Sequence, residues 1–179
     1  MKTLTYARVL LFAIVAAAIP SLGSAQTPAP NLTKEIAGTF QRSATELLDI
    51  AEVMPADKYG FKPTPDVSSF GDQLVHVAGI VQRFVDSAKG TKTEAHQHGT
   101  MTKAEIIALL KKTFQAAQDT ITPLTDAQLL EPVKFPFGDR TVTRATFWQG
   151  PMYQIRNHYG QLVIYLRLNG IVPPTTARR

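Results

Sequence analysis

Four stretches of this chain repeat apolar side chains at intervals of three and four residues, the spacing of one face of an α-helix. Phe40, Ala44, Leu47, Leu48 and Ala51 mark the first, in a segment from Asn31 to about Val53. Phe70, Leu74, Val77, Val81, Phe84 and Ala88 mark the second, which Ser68 or Ser69 can cap and which closes before Gly90. Ile106, Leu109, Leu110, Phe114 and Ala117 mark the third, opened by a Thr102/Glu105 capping box and running to about Ile121. The last spans roughly Thr143 to Asn169 and stops at Gly170, with Pro173 and Pro174 beyond. A helix with one apolar stripe must bury that stripe against another element. Four such helices, with no sustained strand pattern, predict an all-α four-helix bundle.

The segments between them are long. Pro55 ends the first helix, and KYGFKPTPDVSS (58–69) must form a loop whose Tyr59 and Phe61 fold back as a lid. Residues 122–142 lack a helical period, and KFPFGDRTVT (134–143) suggests a small extended loop or hairpin. Connections of this length permit helices adjacent in sequence to sit apart in the bundle. Gly150-Pro151 falls inside the last helix, where proline removes a backbone bond and should kink the helix or define its true start. Asn31-Leu-Thr is a glycosylation sequon, but it reads equally as a helix cap.

Residues 1–25 read as a secretory signal peptide: Lys2 and Arg8, then the apolar run VLLFAIVAAAIP (9–20), then small residues Gly23, Ser24 and Ala25 before Gln26. The apolar run is short for a membrane-spanning helix. The expected product is exported, periplasmic or extracellular, with a Pro-rich unstructured leader at 26–30 and one helical domain at 31–175. The chain carries 19 Lys+Arg against 14 Asp+Glu; removing Lys2 and Arg8 leaves 17 against 14, or +3. No dense basic stripe with interleaved aromatics occurs, so the sequence does not suggest a nucleic-acid partner. The chain has no cysteine, which excludes disulfides, a thiolate nucleophile and cysteine-ligated metals. It also lacks GxGxxG, Walker A, GxSxG and HExxH motifs.

Four histidines remain: His76, His96, His98 and His158. Gln154 precedes His158 by four residues and so shares its side of the last helix. If the second and last helices are neighbours, His76, Gln154 and His158 can converge on one place. Two imidazoles and an amide oxygen, with open positions, have the layout of a catalytic rather than a structural metal site. The competing reading is two half-buried histidines hydrogen-bonded to their surroundings. His96 and His98 form an H-x-H in a polar loop, where solvent-exposed side chains are the simpler reading. Trp148, Tyr153 and Tyr159 could line a pocket or belong to the core, and Arg156 and Arg167 could meet an anion or water. Asp72, one turn before His76, could orient that imidazole or serve the helix N-terminus.

FKPTPDVSSFGDQLVHVAG (61–79) and NHYGQLVIYLRLNGIVPP (157–174) resemble the DinB/YfiT-like superfamily, in particular its signal-bearing bacterial members. The resemblance implies a four-helix bundle, commonly a homodimer, with a divalent metal held by one histidine on the second helix and two, four residues apart, on the last. Carried over, His76 and His158 match two of those ligands, and Gln154 stands where the third imidazole would be. The implied cofactor is zinc, nickel, iron or manganese. The implied function is a metal-dependent enzyme of hydrolase or transferase type acting on an unidentified small molecule. Because Gln154 replaces an imidazole, the alternative is a non-catalytic ligand- or partner-binding bundle with a degenerate metal site.

Overall fold

The structure, a computed structural model, describes residues 31–93 and 101–178. The expected signal peptide, the leader and the His96/His98 pair lie outside the described residues. Helix α1 (Leu32–Val53) begins at Asn31, whose Oδ1 accepts from the Lys34 N–H at 2.6 Å, so the sequon asparagine acts as a cap. A 3-10 turn (Ala56–Lys58) leads toward α2 (Phe70–Lys89), which Ser69 caps and Gly90 ends at φ 68°, a left-handed conformation suited to glycine. Helix α3 (Lys103–Ile121) opens with the Thr102/Glu105 capping box. A one-turn α4 (Asp126–Leu129) and the strands β1 (Pro132–Lys134) and β2 (Thr141–Thr143) precede α5 (Arg144–Leu168). The strands pair antiparallel, with Val133 opposite Val142, giving the expected hairpin. A short α6 (Pro174–Ala177) follows.

Helix α1 packs against α3 and α5, and α2 packs against the same two. The ring order is therefore α1–α3–α2–α5, with α1 and α2 on a diagonal. The loop from 54 to 69 and the segment from 122 to 143 cross the bundle ends to achieve this. The diagonal makes α2 and α5 neighbours, which the convergence of His76 and His158 requires. At the centre lie Phe40 and Leu47 from α1, Leu74 and Val81 from α2, Leu110 from α3 and Ile155 from α5, all fully buried. Among the described residues, no helix is long and apolar enough to cross a membrane.

The loops also finish the ends of α1, whose terminal N–H and C=O groups have no partner inside the helix. The Asp126 carboxylate accepts from the N–H groups of Leu32 (3.0 Å) and Thr33 (2.9 Å). At the other end, the Tyr59 hydroxyl donates to the Ala51 carbonyl at 2.6 Å, and Lys103 Nζ donates to the carbonyls of Glu52 and Met54 at 2.7 and 2.8 Å. Tyr59 thus folds back as the sequence suggests, its ring edge-on to Phe70. Two short helices, α4 and α6, have no counterpart in the sequence reading, because one turn carries no periodicity. Proline at 151 does not start α5. The helix begins seven residues earlier, where the Thr143 hydroxyl accepts from the Thr146 N–H, and runs through Pro151.

Candidate functional site

Helices α2 and α5 run antiparallel, and side-chain contacts set their register. Gln73 meets Gln161, His76 meets His158, and Phe84 meets Gly150. As residue number rises on α2 it falls on α5, so these pairs form successive rungs of one ladder. The His76 and His158 rings have centroids 5.0 Å apart and planes inclined at 59°. The two rings differ in environment. His158 is buried at 9% exposure, whereas His76 is exposed.

One rung away, Gln73 organises His158. The Gln73 Oε1 atom faces His158 Nδ1 within hydrogen-bond reach, and Gln73 Nε2 donates to Gln161 Oε1 at 3.2 Å. With the amide oxygen accepting, the ring proton sits on Nδ1 and the lone pair on Nε2. A histidine oriented by an amide oxygen on its far nitrogen has the arrangement typical of a metal-binding imidazole. Burial, and then the neighbouring His76, lower the His158 pKa from 6.5 to about 4. The ring is therefore neutral near pH 7 and can offer a lone pair.

Gln154 lies one turn from His158 toward the N-terminus of α5, on the same side of that helix, and lines an open hollow of about 410 Å³. Phe84, Phe135, Phe137, Arg140 and Tyr153 also line it. The three phenylalanine rings touch one another, at centroid separations between 5.3 and 6.3 Å. Gly150 allows this packing: a Cβ there would lie 2.4 Å from Phe84 Cζ. Among the described residues there is no cluster of three histidine, cysteine, aspartate or glutamate side chains able to hold a metal.

The other sequence candidates separate. Asp72 exchanges hydrogen bonds with Ser69 at the start of α2, serving the helix terminus. Trp148 is fully buried against Phe147. Tyr159 bonds to Thr175, and Arg156 donates to Ser43 Oγ at 3.2 Å. Only Tyr153 reaches the hollow. Sequence reasoning gave no role to Gln73. Its signal was present nonetheless: three residues after Phe70 and four before Val77, this polar side chain falls on the apolar side of α2, and the structure buries it to 8% exposure, where it needs a partner.

The model of the DinB superfamily matches residues 39–161, a span that contains both His76 and His158. The chain belongs to the DinB superfamily. Three solved structures share its fold. A DinB-like protein from Bacillus subtilis is 24% identical, with a TM-score of 0.62 over 76% of this chain and 92% of the other. A DinB-like protein from Bacillus cereus is 16% identical, with a TM-score of 0.69 over 79% and 95%. A conserved protein from Enterococcus faecalis is 14% identical, with a TM-score of 0.62 over 78% and 98%. At these identities the likeness shows the fold alone. No curated protein matches the chain.

Proposed function

We propose that this DinB-superfamily protein is exported and binds a divalent metal through His76 and His158, with the Gln154 amide oxygen as a third donor, and that it works as a hydrolase or transferase. The observation that carries this reading is the pairing of the two rings beside Gln73. Two imidazoles bound to one tetrahedral ion at about 2.0–2.1 Å hold their ring centres roughly 5 Å apart. The observed separation is 5.0 Å. The neutral state of His158 and the anchoring of its Nδ1 supply the protonation and orientation a ligand needs. When bound, such an ion supplies Lewis-acid polarisation of an oxygen atom and acidifies a bound water or thiol. The chain itself holds and orients the donors, with His158 buried and His76 exposed. Any thiol must come from a cosubstrate, since the chain has no cysteine. The exposed side chains of Ile164, Leu168 and Val172 support a pairing of two copies.

The substitution at Gln154 favours a second reading, a small-ligand-binding bundle with a weakened metal site, because an amide oxygen is a poorer donor than imidazole for zinc or nickel. Elemental analysis of protein purified without a His tag separates the two. We expect close to one zinc, nickel, iron or manganese per chain, lost in His76→Ala and in His158→Ala. Protein that holds no metal even after dialysis against each ion would leave only the second reading.

A further inference from the structure

The hollow beside Gln154 has features the metal reading leaves unused. Its walls are the faces and edges of Phe84, Phe135 and Phe137, yet two guanidinium groups stand over those rings. Arg140 lies 3.9 Å from the Phe135 centroid and Arg83 lies 4.8 Å from the Phe137 centroid. Neither arginine forms an ion pair with a carboxylate among the described residues. A guanidinium stacked on a ring uses its face. Its N–H groups lie in the guanidinium plane and stay free for a carboxylate or another planar anion. A volume of about 410 Å³ falls within the ordinary range for small-molecule sites.

The ladder between α2 and α5 gives this hollow a direction. Phe84 is eight residues beyond His76 on α2, about 12 Å along the axis, and Gln154 lies between on α5. Arg83 is seven residues beyond His76, and so on the same face of α2. A flat molecule held at the arginines can therefore extend along one face toward the histidine pair.

We propose that the hairpin hollow is the substrate pocket and that it takes a planar organic anion, an aromatic carboxylate, with Arg140 binding the carboxylate, Arg83 at the rim, and the phenylalanines stacking on the ring. This rests on the proposed histidine site only for the destination of the ligand's far end; the hollow itself needs no metal. Gly150 is part of its lining, and any side chain there would force Phe84 to shift.

The test is calorimetric titration of the purified protein with benzoate, and with benzamide as the neutral analogue, each with and without a chelator. We expect benzoate to bind about tenfold more tightly than benzamide, and Arg140→Gln to remove that preference. Arg140→Lys should restore part of it, and all proteins should melt alike because Arg140 is exposed. The chelator should change nothing. Equal binding of the two analogues, an unaltered preference in Arg140→Gln, or benzoate binding abolished by the chelator would each overturn the proposal. Charge-selective benzoate binding by a protein that takes up no metal would sink the metal reading and keep the hollow. Metal uptake without that selectivity would do the reverse.

Discussion

Acid should weaken this fold through His158. His158 has a folded-state pKa near 4, down from 6.5. Between those values the unfolded chain binds a proton that the folded chain refuses. The stabilisation is fully present above pH 6.5 and is lost as the pH falls toward 4. A displacement of that size corresponds to about 3 kcal/mol in full, and solvent screening at the edge facing the exposed His76 brings it nearer 2. Two carboxyls enter at the acid edge of that window. Backbone hydrogen bonds, from Thr102 and from Thr33, hold the Glu105 and Asp126 carboxyls below their ordinary range. Their contributions begin to fade as the pH falls through about 4.5 for Glu105 and about 3.8 for Asp126, and this loss is common to the wild type and a His158 variant. Urea unfolding at about pH 7.5 and about pH 4.5 should show the wild type losing about 2 kcal/mol more than His158→Gln. Parallel losses in the two proteins would mean that the ring is solvated and charges freely, and the case for a neutral, ligand-ready imidazole would fail.

Three further outcomes follow from the packing. Gly150→Ala places a methyl group 2.4 Å from Phe84 Cζ; thermal melts should show a loss of about 1–3 kcal/mol, relieved by adding Phe84→Leu. Tyr59→Phe removes the donor to the buried Ala51 carbonyl, and should cost about 1 kcal/mol in urea unfolding. Asp126→Ala frees the Leu32 and Thr33 N–H groups. Its urea midpoint should fall at neutral pH, and the gap from wild type should close in acid as the wild-type carboxylate itself is protonated.

The helices were legible because their causes are local. Ser69, Thr102 and Thr143 cap within three residues of themselves, and the apolar stripes repeat within two turns. What depends on distant partners was not. Asp126 caps α1 from 93 residues away, and nothing near Asp126 in the sequence announces that role. The residues at 76, 154 and 158 stood out by type and spacing, but only the diagonal placement of α1 and α2 made α2 and α5 neighbours. The hollow was illegible for the same reason. Phe84, Phe135 and Gly150 are unremarkable until the hairpin folds onto α5, and only then does the glycine become a close-contact site. Proline at 151 misled in one of its two readings: sequence alone allowed it to mark the helix start, but the Thr143 cap set that start earlier.

The proposed metal site depends on a single ring, His158, held at Nδ1 by Gln73 and packed beside His76. Nitrogen-15 NMR of the histidine rings at neutral pH reads that directly. We expect His158 as the neutral tautomer protonated on Nδ1, with its Nε2 and a His76 nitrogen shifting together when zinc is added. A His158 ring that carries its proton on Nε2, or remains an imidazolium at neutral pH, would contradict the account.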